Sequence, residues 1–431
     1  MRSKMLAVAI AASLGASSFA AAAAPAQTDN HTSTRVSASE LAQLKAEIAA
    51  LQQKVDDLQA QSASQAQAQQ QTAQAVQQVQ AQQQAVVAAP APDAALSARL
   101  DKLDKLVSNT SLSGKMYFDF SHIDQKNSDT GKTAATGTGL DVKRFYLGVT
   151  HKFNDIWSAN LTTDFNYVSN DGETNLFVKK AYVQGNFDKA AVLRIGSADM
   201  PWIPFVEDWY GFRYVENTLT DRLHYANSAD WGLHMLGSVG DGGMFNYAVS
   251  AVNGGGYKNP SRSKNVDFEG RVGFQPVEGL MVALGGYSGD LGKETQTTSA
   301  NHTAQRGDLM VAYKSSAFRL GAEYFTAKNW NNVTTPATDK ADGYSVWGSV
   351  GLNDDLTLFA RYDNAKLSKT LDPRKKDVYY NLGLQFAVTK GFDLAAVWKH
   401  ESADARVATP APVHVQNVKT NEIGVFGQVA F

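Results

Sequence analysis

Residues 157–168 read WSANLTTDFNYV, and apolar and polar side chains alternate along them. The apolar set is Trp157, Ala159, Leu161, Phe165 and Tyr167, and the polar set is Ser158, Asn160, Thr162, Asp164 and Asn166. Successive side chains of a β-strand point to opposite faces, so this period of two predicts a strand with one apolar and one polar face. The stretch LSGKMYFDFSH, residues 112–122, has the same alternation.

The alternation recurs along the rest of the chain, and the connections between the alternating segments are in turn short and long. It predicts an all-β transmembrane barrel of sixteen antiparallel strands, at 112–122, 140–153, 156–168, 175–187, 191–197, 230–239, 244–252, 266–274, 280–288, 306–314, 317–327, 342–351, 356–365, 377–388, 392–401 and 419–431. Outer-membrane barrels have short turns at one end and long loops at the other, with apolar side chains toward lipid. We therefore expect such a barrel over residues 108–431.

Aromatic residues gather where the short turns lie, as expected for a girdle at a membrane interface. They are Phe153, Trp157, Phe187, Phe245, Phe274, Phe318, Phe392 and Phe431. The last strand, NEIGVFGQVAF, resembles the C-terminal signature of bacterial outer-membrane proteins. This resemblance implies that Phe431 is a membrane assembly signal.

The chain before the barrel has two other patterns. Arg2 and Lys4 precede an apolar run and a stretch of small residues, which predicts a signal peptide over residues 1–24. Over residues 37–89, apolar residues recur at spacings of three and four, which predicts a periplasmic coiled coil; its clearest seam is Leu41, Leu44, Ile48, Leu51, Val55 and Leu58. A disordered Gln-rich spacer stays open as an alternative for 61–86. Residues 90–107 are expected to form a linker and a short helix.

The composition excludes several classes of function. Lys and Arg total 40 against 42 Asp and Glu, so the formal charge of −2 lacks the basic excess of a nucleic-acid binder. The chain has no cysteine, which excludes disulfides and thiolate sites. No motif of a serine nucleophile, a metalloprotease or a phosphate-binding loop occurs, so we expect no enzyme activity, no metal and no cofactor.

Three stretches carry a family resemblance: VKRFYLGVTHKFNDIWSANLTTDF, VKKAYVQGNF and LRIGSADMPW. They resemble the opening strands of the phosphate-selective porin O and P family, in which paired basic residues begin the second strand. The matching positions are Lys143, Arg144, Asp164, Ala181, Tyr182, Val183, Arg194, Ile195 and Gly196. The resemblance covers residues 112–205 and implies trimeric sixteen-stranded channels. A coiled coil ahead of the barrel is also similar to that of sucrose and dicarboxylate porins.

The polar face of each predicted strand is assigned to the lumen. The pore-lining residues expected from this assignment are Lys115, Arg144, Lys180, Arg194, Arg271, Arg319, Arg361, Asp119 and Asp164. Further lumen residues are Lys399, Asp267, Glu269, Glu323, Asp363, Asp393 and Glu422. Basic and acidic members are equally numerous, so the alternation alone does not set the sign of the selectivity.

The long segment after Gly196 is the candidate constriction loop. Its candidate site residues are Trp202, Glu207, Asp208, Trp209, Tyr210, Arg213 and Arg222. Acidic residues outnumber basic ones here, which argues against the ladder of cations that a phosphate channel needs. The aromatic residues leave two roles open, because they could stack on sugar rings or pin the loop against the barrel wall.

These observations predict an outer-membrane porin for passive diffusion of small hydrophilic solutes. Inorganic anions such as phosphate, sugars and dicarboxylates all stay open as permeants. The expected partners are further copies of the chain in a homotrimer, outer-membrane lipid and lipopolysaccharide, and no nucleic acid. A structural tether, acting through the coiled coil, is an alternative of another class.

Overall fold

The structure, a computed structural model, describes residues 38–87, 94–128, 130–168, 173–407 and 414–431. The predicted signal peptide lies outside these residues. The chain divides after Ala94 into two compact units.

Helix α1, Ala38–Val87, is the element described in the first unit. It runs without a break through the Gln-rich half, where a spacer was the alternative, because Ala and Gln are good helix formers. The apolar seam residues Leu51, Val55 and Leu58 are 62%, 50% and 64% exposed. In the part of the chain that the structure describes, no helix combines the length and the apolar character that a membrane span requires.

The second unit begins at Ala95, at the start of helix α2, Ala94–Ser108. It continues as a closed barrel in which each strand pairs antiparallel with its chain neighbours and β1 pairs with β16. The strands are β1 Thr110–Asn127, β2 Thr133–Lys152, β3 Trp157–Val168, β4 Glu173–Asp188, β5 Ala191–Asp199, β6 Ala229–Val239, β7 Phe245–Val252, β8 Asp267–Val277, β9 Leu280–Gly289, β10 Ala304–Lys314, β11 Phe318–Lys328, β12 Lys340–Gly351, β13 Leu356–Lys366, β14 Lys376–Thr389, β15 Phe392–Val407 and β16 His414–Ala430. The predicted sixteen-stranded antiparallel barrel is confirmed.

Two predicted loops are largely strand. The segments 123–139 and 402–418 were expected to be irregular, but β1 and β2 pair as far as Lys126 and Thr133, and β15 and β16 as far as Val407 and His414. Few large apolar residues occur in these segments, so the apolar alternation ends although the backbone ladder continues. A hydrophobic pattern therefore locates the membrane-embedded part of a strand better than its end.

Apolar side chains cover the outer surface, which fits a lipid-facing wall. Aromatic rings at the short-turn end contact each other across strands. The ring centroids of Trp157 and Phe187 are 5.5 Å apart, and those of Phe245 and Phe274 are 4.9 Å apart. A second aromatic band lies toward the long-loop end of β11 to β15: Tyr324, Tyr344, Tyr362, Tyr380 and Trp398. The outer surface thus carries aromatic residues at both interfaces.

The wall is least continuous between β2 and β3. These strands pair over six positions, from Leu147 opposite Thr163 to Lys152 opposite Ser158, and then separate although both continue. Beyond the last pair, Leu140 and Phe145 on the outer face of β2 are still exposed apolar residues. The gap therefore opens at a level where the outer surface is still apolar.

Candidate functional site

Residues 200–228, called here the inward loop, leave β5 and cross the barrel interior. The loop contains helices α3, Ile203–Tyr210, and α4, Leu219–Arg222. The Trp202 indole donates to Glu323 of β11 at 2.7 Å, and the Tyr214 hydroxyl donates to Gln385 of β14 at 2.9 Å. Because one segment contacts strands on several sides of a closed barrel, it lies inside the lumen.

The aromatic residues of the inward loop pack against the wall. The residues Trp202, Trp209, Tyr210, Phe212 and Tyr214 are all buried. Phe212 stacks on Phe359 of β13 at 4.1 Å between ring centroids, and Tyr210 contacts Trp347 of β12. Of the two roles that the sequence left open, this burial favours the one in which the rings pin the loop.

Ion pairs hold the other half of the loop. Arg222 lies 3.2 Å from Asp363, 2.5 Å from Asp377 and 2.5 Å from Glu401, on three consecutive strands. Glu216 pairs with Lys399 at 3.1 Å. Burial opposes ionisation of Glu216, yet the Lys399 and Lys143 ammonium groups hold its pKa well below the usual range of a glutamate.

Three of the predicted pore-lining arginines contact the inward loop. Arg271 donates to the carbonyl of Pro201, Arg319 to that of Asp208 and Arg361 to that of Asn217. Their strand positions do face the barrel interior, as the alternation predicts. Arg271 and Arg361 are buried beneath the inward loop, and Arg319 is half-buried at its edge, so all three guanidinium groups contact the loop.

Open space remains between the inward loop and the wall formed by β1 to β4. One cavity of about 300 Å³ lies toward the long-loop end and is bordered by Asp141, Lys143, Arg144 and Glu216. A second, of about 430 Å³, lies toward the short-turn end and is bordered by Lys115, Tyr146, Lys179, Lys180, Asp199 and Glu207. Tyr117 of β1 and Arg213 of the loop border both cavities. We call the two cavities together the passage.

The comparison of the chain with family models agrees with this geometry. A model described as Gram-negative porin matches residues 83–406. The chain belongs to the Gram-negative porin family. A comparison with curated protein sequences returned no match.

Solved structures of porins share the fold. An anion-selective porin from Comamonas acidovorans is 14% identical over 75% of this chain and 99% of that chain, with a TM-score of 0.51. OmpF of Salmonella typhi in complex with daunomycin is 11% identical over 75% and 97%, with a TM-score of 0.51. The outer membrane channel DcaP of Acinetobacter baumannii is 12% identical over 75% and 97%, with a TM-score of 0.50. At these identities the likeness shows the fold alone.

Two β-bulges bring extra cations into the lumen of this porin. On β2, Arg144 pairs with Tyr117 and Val142 with Phe118, so Lys143 is the inserted residue. On β4, Lys180 pairs with Thr162 and Val178 with Thr163, so Lys179 is inserted. A bulge breaks the inward-outward alternation locally. Both members of each basic pair therefore border the passage, whereas the alternation assigned only Arg144 and Lys180 to it.

The acidic residues around the inward loop have partners of their own. Five pair with a cation: Asp199 with Lys180 at 2.6 Å, Glu207 and Asp221 with Arg213 at 2.5 and 3.4 Å, Asp208 with Lys314 at 3.1 Å, and Glu216 with Lys399. Asp230 instead accepts backbone N–H groups from Trp231 and Gly256 at 2.7 and 3.0 Å. Each of these six acids thus has a partner in this porin, although Arg213 is shared by two of them.

Other predicted lumen residues form pairs along the wall. Lys143 lies 3.2 Å from Asp119 and 3.8 Å from Glu422, and Arg144 lies 3.8 Å from Asp164. Arg194 lies 3.8 Å from Asp199. By contrast, Lys115 and Lys179 have no carboxylate within 4.0 Å among the residues that the structure describes.

The terminal residue closes the barrel seam. Phe431 exchanges two backbone hydrogen bonds with Gly114 of β1, at 2.9 and 3.0 Å, and its side chain is exposed. Its role as an assembly signal remains a prediction.

Proposed function

We propose that this porin is a water-filled outer-membrane channel with a preference for small anions. The observation that carries the proposal is the pair Lys115 and Lys179, two lumen cations with no carboxylate within 4.0 Å in the described chain, beside a loop whose acids have partners of their own. Six basic side chains border the passage: Lys115, Lys143, Arg144, Lys179, Lys180 and Arg213. Four acidic ones do: Asp141, Asp199, Glu207 and Glu216. Rings of one charge sign select ions of the opposite sign.

The observations bear differently on the three finer selectivities. Phosphate preference follows only from the resemblance of the opening strands to the phosphate-selective family. Sugar preference depended on exposed loop aromatics, and those side chains are buried. A dicarboxylate has the charge that the passage favours, so it stays within the class of permeants proposed here.

We further propose a homotrimer, supported by the gap between β2 and β3. Peptide groups that face the hydrocarbon of a bilayer without a partner cost several kcal/mol each, so open strand edges do not occur there. The edge of β2 above Leu147 is left open by β3, and its outer face remains apolar. A neighbouring subunit packed on this face would cover the edge.

We propose that helix α1 self-associates in the periplasm. Its seam residues Leu51, Val55 and Leu58 are exposed in the single chain, and burying an apolar stripe of this kind is what drives coiled-coil formation. Tethering to the cell wall is compatible with this role and would add to permeation.

The direct test is the zero-current reversal potential of the purified protein in a planar bilayer under a KCl gradient. We expect the sign that corresponds to chloride permeating faster than potassium. Adding phosphate or sucrose to one side then examines the finer alternatives, because a specific solute blocks the chloride current at low concentration. A reversal potential of the opposite sign would contradict the proposal.

A further inference from the structure

The ammonium group of Lys179 contacts aromatic rings and has no carboxylate within 4.0 Å in the described chain. Its ammonium nitrogen lies 4.5 Å from the ring centroid of Tyr146 and 5.7 Å from that of Tyr257. It also donates a hydrogen bond of 3.1 Å to the Tyr146 hydroxyl. An ammonium group has three donors, so this contact leaves others available to a solute in the cavity.

Further rings and cations are in contact on both sides of Lys179. Toward the long-loop end, Tyr257 stacks on Phe177 at 5.9 Å, and Lys258 lies 5.0 Å from the Phe177 centroid. Toward the constriction, Tyr146 makes an edge-to-face contact with Tyr117 at 6.1 Å. Arg213 of the inward loop lies 6.0 Å from the Tyr117 centroid. Three cations and four rings thus form a connected series through five strands and loops. Arg213, Tyr117, Tyr146 and Lys179 of this series border the passage.

The rings are held in place by polar contacts around them. The carbonyl of Tyr257 accepts the indole N–H of Trp231 at 3.1 Å, and the adjacent Gly256 N–H donates to Asp230 at 3.0 Å. Phe177, Tyr146 and Tyr257 are half-buried, so part of each side chain remains accessible. A path for hydrated inorganic anions would need cations alone, and half-exposed rings in a polar lumen would add nothing to it.

We propose that the passage binds and conducts aromatic carboxylates, benzoate being the simplest. The carboxylate would pair with Lys179, and the ring of the solute would pack edge-to-face or offset against Tyr146, the geometries that aromatic pairs prefer. The adjoining cavity of about 430 Å³ exceeds the roughly 150 Å³ that accommodates a benzene molecule in an engineered protein cavity. The inference rests on the proposed anion channel and names its substrate class.

The test compares four potassium salts in planar bilayers containing the full-length protein: benzoate, cyclohexanecarboxylate, acetate and phosphate. Benzoate and cyclohexanecarboxylate have similar size and the same charge, and of the two only benzoate has an aromatic ring. We expect benzoate to block the chloride current saturably at lower concentration than the other three. The KCl reversal potential is measured on the same membranes and reports on the anion preference alone.

Two substitutions separate charge from ring. Tyr146→Leu keeps every charge and is expected to weaken the benzoate block about two- to tenfold, the range of one aromatic pair, without a matching change for acetate. Lys179→Gln should weaken the block by all carboxylates. Tyr344→Leu removes a ring of the outer aromatic band and is the matched control, expected to leave the benzoate block unchanged.

The outcomes are distinguishable. Chloride preference with equal block by benzoate and cyclohexanecarboxylate would overturn the aromatic-carboxylate inference and leave the anion channel standing. Potassium preference would overturn both. If a variant fails to give the folded barrel, the comparison of the four anions on the native protein still tests the aromatic-carboxylate inference.

Discussion

Arg222 of the inward loop lies 2.5 Å from Asp377 of β14, and both side chains are almost fully buried. Asp363 and Glu401, on the flanking strands, contact the same guanidinium. One loop residue therefore satisfies carboxylates on three strands. Because buried carboxylates cannot remain ionised without a partner, the loop and the wall depend on each other here.

Replacing Arg222 should release this half of the loop. Removing one partner of a buried ion pair typically costs about 3–5 kcal/mol, since a charge is left uncompensated. We expect Arg222→Met to give a larger mean single-channel conductance and frequent switching between current levels, because the loop no longer holds one position. Single-channel recording in planar bilayers measures both quantities.

A matched control is Arg374→Met. Arg374 lies in a loop between strands, and its side chain is 73% exposed. Its replacement should leave the current steady at the native level. Steady native conductance in Arg222→Met would instead show that the Trp202 hydrogen bonds and the buried rings hold the loop by themselves.

The sequence was sufficient for the architecture because lipid imposes a simple rule. A strand that separates lipid from water must alternate, and WSANLTTDFNYV does so over the length that crosses the membrane. Outside the bilayer a strand does not need to alternate, which explains why the polar ends of β1, β2, β15 and β16 were expected to be loops. Their pairing depends on backbone hydrogen bonds, which leave no hydrophobic period.

The candidate site was predictable only in part. Alternation placed Arg144 and Lys180 in the lumen but assigned Lys143 and Lys179 to the other face. A bulge depends on how two strands pair, and the sequence pattern of a single strand does not show it. The adjacent basic pairs were the available signal, because a lysine facing lipid is costly. The burial of Arg361 under the loop could not be foreseen, since it depends on a segment distant in sequence.

Lys143 should determine much of the selectivity. Its ammonium balances Asp119 and Glu422, so Lys143→Met removes a cation and leaves both carboxylates less compensated. A unit charge 4 Å from an ion contributes about 1 kcal/mol in water, so we expect the anion-to-cation permeability ratio to fall about fivefold in dilute KCl. Reversal potentials at two salt concentrations check this, because screening should reduce the effect at high salt.

The control for that experiment is Lys328→Met. Lys328 ends β11 and is exposed, and its neighbour Ala327 faces the buried interior. The same change in net charge outside the passage should leave the reversal potential unaltered. Equal shifts in the two variants would mean that net charge, and not the position of Lys143, sets the selectivity.

The face of β2 above Leu147 should contact another subunit. The chain has no cysteine, so a benzophenone group can be attached at one chosen position. A benzophenone attached to the cysteine of the Leu140→Cys variant should give covalently linked dimers and trimers on illumination. Leu320 lies on the outer face of β11, on the opposite side of the barrel, so the labelled Leu320→Cys variant should give no linked dimers or trimers. Equal linking at both sites would argue against a subunit interface at the gap.

Helix α1 offers a test of self-association that is independent of the barrel. Val55 lies on the apolar seam and Asp57 lies off it, and both belong to the described helix. Identical seam positions of a parallel coiled coil face one another, so Val55→Cys should form a disulfide between chains quickly under mild oxidation, and Asp57→Cys should form it slowly. Non-reducing electrophoresis over time gives the two rates. Equal rates would indicate helices that meet only by random collision, and trimers that persist without residues 38–87 would show that the barrel assembles without the helix.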